Sequence, residues 1–313
     1  MTITDPTPAA PTTAAPSADA ADWQAWRASR EEGLTGEHGW LTLTALHHLP
    51  ATPQALPGLP GQWWADADGA HVRAAADEAI RALDTRIGLE ATDQPLDGVH
   101  TVVVPEAAST VAAIAGDNRA VEVALRTGGY IARVRDPEAP ARASFSGVPT
   151  YAYDPSWVLE APVRWYDEPV AAVVGAAQLG LRHDVVVIGE LDLTRDGLTA
   201  TLKITGKGPD TATVLFSEEN DATAEWRILF LDSAAGASAA GEAPVTVRLD
   251  LNRTLNLPYA FSDFGTCPRP VEGNHVPFAV TAGEQVPTVH TPAVHTPAVQ
   301  APAATTPGTR LPQ

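Results

Sequence analysis

The pattern of apolar positions changes period once along the chain. Trp23, Trp26, Arg30 and Leu34 recur at helical spacing, Ser17 or Asp19 is placed to cap the start, and Gly33 and Gly36 close the run. The tryptophan pair reads as a core anchor, because aromatic rings bury large areas. From Trp40 onward the period is two. Residues 40–44 alternate after Gly39, and residues 63–73 read as two strands about an Asp68-Gly69 hairpin turn. Further strands are predicted over 99–104 and 109–115, with a turn at Asp117-Asn118, and over 121–126 and 130–135 about Gly128-Gly129. Beyond a proline-rich stretch come 157–165, 185–193, 198–205, 212–216, 225–231, 245–251 and 276–280.

Short strands at such close intervals, separated by turn residues, predict a sandwich or barrel. Only residues 74–83 offer a helix-length amphipathic stretch between strands, so a doubly wound α/β sheet is disfavoured. The expected fold is mainly β: a single antiparallel barrel- or sandwich-like domain over residues 21–285 with a helix at its N-terminal end. The Ala/Ser/Gly run 233–241 reads as a long hairpin loop within it. Residues 1–20 are Ala, Pro and Thr with almost nothing large to bury, so they are expected to be a disordered tail. Residues 286–313 are expected to be a second one, proline-rich and carrying the repeat Thr291-Pro-Ala-Val-His295, Thr296-Pro-Ala-Val-Gln300.

Charge narrows the partners. Of 313 residues, 38 are Asp or Glu and 20 are Lys or Arg, a formal charge of −18. The acidic surplus lies between the two tails, where it repels phosphate backbones; binding by counterion release needs the opposite sign. Nucleic acid is not an expected partner, and an anionic membrane is disfavoured by the same argument. The longest apolar stretch, residues 170–177, is far short of the roughly 20 residues of a membrane helix. Met1-Thr-Ile-Thr-Asp-Pro has neither a basic nor an apolar leader segment. The single cysteine, Cys267, excludes an intramolecular disulfide and any cysteine-rich metal cluster. A cytoplasmic protein is expected, and its oligomeric state is not legible.

Candidate chemistry concentrates near the carboxyl end. A strand closing on Asp250-Leu-Asn252-Arg253 enters an irregular loop with Asn256, Pro258, Phe261, Cys267, Pro268, Pro270, Asn274 and His275, and Ala282-Gly283-Glu284 follows. Proline restricts the backbone, so polar side chains there are held at low entropic cost. Asn252, Asn256 and Asn274 both donate and accept, and Arg253 offers a planar fork for a carboxylate. The leading expectation is that these four bind a small anionic or carboxylate-bearing metabolite. The competing structural reading is that they satisfy main-chain groups of an irregular segment, with Arg253 paired to Asp250 or Glu284.

A second class, a hydrolase or transferase, would use Cys267 with His275 as its base, or a carboxylate such as Asp250 or Glu284. A third is a structural or protein-interaction domain without a small ligand. His47 and His48 are adjacent and point to opposite faces of a strand, so with His38 they make a poor metal site. His290 and His295 sit in the tail and make no better one. No metal is expected. Gly206-Lys207-Gly208 lacks the rest of a phosphate-binding loop, and G-x-G-x-x-G after a strand, G-x-S-x-G and H-E-x-x-H are all missing. No cofactor is expected either.

Three blocks resemble the domain-of-unknown-function 1684 family. They are Trp26-Arg27…Arg30-Glu31…Leu34 with Gly39-Trp40-Leu41; Arg126-Thr-Gly-Gly-Tyr130-Ile-Ala-Arg133-Val-Arg135-Asp136 with Phe145-Ser-Gly147 and Trp157; and the closing run from Asp250 to Glu284. The resemblance spans roughly residues 22–285 and implies a bacterial, β-rich, mainly cytoplasmic domain, with no activity to carry over. The chain departs from that family's pattern at Tyr259, where many relatives carry a second cysteine, which weakens a mechanism that requires a dithiol. It departs again at Asn274-His275-Val276, where the family continues Asn-Arg-Leu; histidine is mostly neutral at pH 7, so a role needing a cation there is weakened.

Overall fold

The computed structural model describes residues 17–83, 94–116, 118–231 and 245–293. Helix α1 (Ala18–Thr35) opens it, capped by Ser17, whose hydroxyl accepts the Ala20 N–H at 3.2 Å. It begins inside the stretch expected as tail, and it buries Trp23 and Leu34. Trp26 is half-buried, under the guanidinium of Arg253. Of the tryptophan pair, only Trp23 is the anchor expected.

The first half of the β structure comprises β1 (Leu43–His48), β2 (Gln62–Asp66), β3 (Gly69–Ala74), β4 (Ile80–Ala82), β5 (Gly98–Val102), β6 (Ser109–Ala115), β7 (Arg119–Arg126) and β8 (Gly129–Arg135). They form a five-stranded antiparallel sheet in the order β1-β8-β7-β6-β4 and a three-stranded one in the order β2-β3-β5. Trp63 and Val72 of the smaller sheet share one apolar cluster with Val121, Val123, Ala132 and Val134 of the larger. Residues 74–83 are not helical beyond one short turn, Ala76–Glu78; Ile80 and Ala82 instead bury their side chains from β4. At the β2–β3 turn Gly69 has φ of +138°, and a Cβ there would lie 2.7 Å from the Val102 carbonyl.

The second half comprises β9 (Val158–Gly175), β10 (Arg182–Arg195), β11 (Leu198–Thr205), β12 (Thr213–Glu218), β13 (Arg227–Phe230), β14 (Val245–Asp250), β15 (Leu255–Asn256) and β16 (His275–Val276). They make an eight-stranded sheet, β14-β9-β10-β11-β12-β13-β15, with β16 added in parallel to β12. Trp157, Leu191, Leu202, Phe216 and Leu249 fill its core. The antiparallel sheets of the molecule include a half-barrel. The mainly β, antiparallel architecture with an N-terminal helix is as expected, built as three sheets around two principal apolar clusters. Strands β9 and β10 run longer than predicted. The strand expected over 276–280 shrinks to the pair in β16.

Residues 250–285 and α1 join the halves. The Trp23 indole N–H donates to the Asn252 carbonyl, Arg27 to the Val148 carbonyl and Arg30 to the Asn256 carbonyl, while Leu34, Leu41, Val148 and Phe261 pack together. Paired chain continues past residue 285: Val286 N–H donates to the Ala222 carbonyl, and Thr291 exchanges main-chain contacts with Phe261 and Asp263. The 233–241 run, residues 1–16 and His295 lie outside the described residues.

Candidate functional site

The carboxyl-end segment places its polar side chains against main chain. Asn252 is buried; its side-chain Oδ1 accepts the Asp154 N–H, and its side-chain amide donates to the Asp154 carbonyl and to Asp250 Oδ1. Asp250 Oδ1 also accepts the Asn252 main-chain N–H, and its Oδ2 lies 3.4 Å from the Arg253 Nε. Arg253 is partly exposed and paired with Asp22 of α1. The amide of Asn256 donates to the Gln285 carbonyl. Its main-chain N–H goes to Glu284 Oε2, whose other oxygen accepts from Arg30 Nε at 3.1 Å. Gly283, with φ of +76°, lets this turn press on residue 254: a Cβ would sit 2.5 Å from the Thr254 carbonyl.

Asn274 lies between β11 and β12. Its side-chain Oδ1 accepts the Lys203 N–H at 2.8 Å, and its side-chain amide donates to the carbonyls of Lys203 and Leu215 at 2.9 and 2.8 Å. Among the four residues expected to bind an anion, the three asparagines therefore direct their amides at neighbouring backbone. Of the side-chain polar atoms of these three asparagines, Asn256 Oδ1 is the one buried without a hydrogen-bond partner among the described residues.

Cys267 and His275 have different neighbours. Cys267 is packed with Leu215, Trp226 and Leu257, and burial pushes its thiol up to about 11, so it is protonated at neutral pH. His275 is exposed and bonds Ser217 Oγ and Glu219 Oε1 through its two ring nitrogens. The imidazole next to the cysteine segment is His183, whose Nε2 meets the Thr266 carbonyl. As for the other histidines, His38 Nε2 bonds the Asn118 carbonyl and His290 bonds Asp263. No group of three or more His, Cys, Asp or Glu that could hold a metal occurs among the described residues.

A different set of polar residues is gathered on β7 and β8. Val121, Val123, Ala132 and Val134 face the apolar core. Strand alternation turns Glu122, Arg126, Arg133 and Arg135 to the opposite face. That face is also buried, beneath the loop carrying Trp40 and the segment ending at Thr266. Glu122 Oε1 accepts from Arg133 Nη2 at 2.5 Å, and Oε2 accepts from Arg135 Nε and Nη2 at 3.0 and 2.8 Å. Arg135 Nη1 reaches the carbonyls of His38 and Gly39, and the Trp40 ring lies 4.3 Å from the Arg135 guanidinium carbon.

Burial works against ionisation of Glu122, but Arg133 and Arg135 outweigh it and hold the carboxyl below its ordinary range. Two buried guanidiniums thus share one carboxylate. Arg126, farther along the same face, donates to the Ala108 and Leu125 carbonyls and has Glu106 close enough to feel its charge. The Nε–H groups of Arg126 and Arg133 find no acceptor among the described residues.

Beside the Arg–Glu–Arg group opens a cavity of about 420 Å³, lined among others by Gly33, Trp40, Ser109, Thr110, Glu122 and Arg135. It combines an aromatic wall, the Ser109 hydroxyl and a buried charged pair, the composition of a small-molecule site. Sequence reasoning passed over it because charges alternating along a strand ordinarily mark a solvated face. The one signal available was that Glu122, Arg133 and Arg135 interrupt or end the apolar runs at 120–125 and 131–134.

Comparison with known proteins gives a family without an activity. Residues 143–285 match the family described as "Protein of unknown function (DUF1684)". No curated protein matches the chain. Among solved structures, the uncharacterized protein from gene locus rrnAC0354 of Haloarcula marismortui is similar at 24% identity with a TM-score of 0.38. The match covers 48% of this chain and 82% of that one.

Proposed function

Taking residues 143–285 as belonging to the DUF1684 family, we propose that the protein binds a small anionic metabolite in the cavity floored by Glu122 and Arg135. The carrying observation is the buried charge ratio there: Arg133 and Arg135 against Glu122 alone, beside open volume. In a site of low dielectric, an unbalanced guanidinium favours a carboxylate or phosphate oxygen more than the same group does in water. Ser109, on the Glu122 face of its strand, supplies a hydroxyl to orient the ligand, and Trp40 supplies a flat wall. The anionic ligand expected from the sequence is kept, and its seat moves from Asn252, Arg253, Asn256 and Asn274 to this cavity. A cytoplasmic working place belongs to the same reading, supported by the acidic composition and the lone cysteine.

The competing reading is purely structural, since buried Arg–Glu–Arg groups occur as packing elements with no ligand. Thermal unfolding of the full chain with citrate and with inorganic phosphate separates the two. A ligand at 100 times its Kd stabilises by about 2.7 kcal/mol, a Tm rise of roughly 5–10 °C for a chain of this size. Gly33→Leu is the matched control: a Cβ at Gly33 meets nothing within 4 Å, and Gly33 lines the cavity. The variant is expected to keep or raise the unliganded Tm, because leucine is the better helix former, and to lose the ligand shift. Equal shifts in parent and variant, or no shift with either anion, would refute the site.

A further inference from the structure

Away from that cavity, the parallel pairing of β12 with β16 sets Ser217 beside His275. Ser217 Oγ lies 3.0 Å from His275 Nδ1, and His275 Nε2 lies 2.9 Å from Glu219 Oε1. A carboxylate only accepts, so in the neutral imidazole Glu219 fixes the proton on Nε2 and leaves Nδ1 to accept from the serine hydroxyl. This is a hydroxyl–imidazole–carboxylate relay, the arrangement that activates a serine, here with the two ring nitrogens in exchanged roles relative to the familiar hydrolase triad. Ser217 and His275 both line a groove of about 270 Å³ that also holds Trp226, Arg269, Pro270 and Val271. Arg269 is the groove's cation; it lies over the Trp226 ring at 4.5 Å and pairs with the exposed Glu225.

We propose that this groove is a second, catalytic site that hydrolyses small carboxylic esters, with Ser217 as nucleophile and His275 as its base. Ser217 Oγ attacks the ester carbonyl carbon while its proton passes to His275 Nδ1. The bond from carbonyl carbon to alcohol oxygen then breaks, and the alcohol leaves with that proton. Water adds to the acyl-serine as His275 again takes a proton. Returning that proton to Ser217 Oγ releases the carboxylic acid and restores the enzyme. Water is the only co-reactant, and no redox change occurs. Arg269 faces the negative charge that forms on the carbonyl oxygen, and the proline, valine and tryptophan walls favour a short acyl group.

The proposal does not depend on the anion cavity, and its test leaves that cavity untouched. The full chain is treated with a serine-directed fluorophosphonate and, separately, assayed with p-nitrophenyl acetate. The label is expected on Ser217 by peptide mapping, and both label and hydrolysis are expected to vanish in Ser217→Ala. His275→Gln should slow labelling at least about 100-fold, the usual effect of losing a general base. Glu219→Gln, a milder change at an exposed side chain, should slow it less. Superimposable unfolding curves are expected for parent and variants, since none of these side chains belongs to the core. Labelling no faster than in heat-unfolded protein, a label that survives Ser217→Ala, or wild-type labelling in His275→Gln would each overturn the assignment.

Discussion

Asn274→Ala distinguishes a structural from a ligand-binding role for the carboxyl-end segment. Strands β11 and β12 pair with each other only at Thr205 and Thr213. Farther along, the Asn274 amide bridges the gap, accepting from Lys203 N–H and donating to the Lys203 and Leu215 carbonyls. The side chain is 3% exposed, so alanine leaves those backbone groups without the partners they now have and with little access to water. Each such loss costs on the order of 1 kcal/mol or more. Three give a destabilisation of about 3 kcal/mol, or a fall in Tm of roughly 6–12 °C. Urea unfolding followed by tryptophan fluorescence measures it. Asn274→Asp is the informative companion: it keeps an acceptor for the Lys203 N–H but sets a carboxylate against two carbonyls, so it should be no more stable than the alanine variant. An Asn274→Ala protein within about 0.5 kcal/mol of the parent would refute the reasoning, because bridging bonds of that kind cannot be lost so cheaply.

Four further outcomes are expected. Arg253→Ala should cost less than about 1 kcal/mol in the same urea assay, since its pairs with Asp22 and Asp250 sit at a partly exposed surface. Glu122 is held below its ordinary value of 4.5, so it contributes stability that is present above that value and lost as pH falls through its depressed one. Comparing the Tm of parent and Glu122→Gln between about pH 3 and pH 7 should show a gap that closes toward acid, and a gap that widens toward acid would contradict the ion-pair assignment. Glu218, which burial raises despite Arg227 beside it, acts in the opposite sense, favouring the fold below 4.5 and losing that contribution as pH rises. Cys267, protonated and packed, should resist iodoacetamide in the native protein at neutral pH and react once unfolded; fast native alkylation would restore it as a candidate nucleophile.

Everything legible before folding comes from local periodicity. The helical spacing of Trp23 and Leu34, the alternation along 121–126 and 130–135, and the turn glycines report which way each side chain points from its own backbone, and they yielded a helix followed by antiparallel strands. The rigid carboxyl-end loop was legible too, because Pro258, Pro268 and Pro270 restrict the chain wherever they stand. Tertiary structure alone decided what each polar group meets. Asn252 bonds residue 154 and Asn274 bonds residues 203 and 215, partners that no local pattern reveals. Burial of Glu122, Arg133 and Arg135 required a second layer over the outer face of β7 and β8, and a strand's period is the same whether its polar face meets water or protein. Closeness in sequence sets His275 with Cys267, whereas the parallel register of β16 gives it Ser217 and Glu219. Direction is a property of the segment, whereas neighbours are fixed only when distant segments pack.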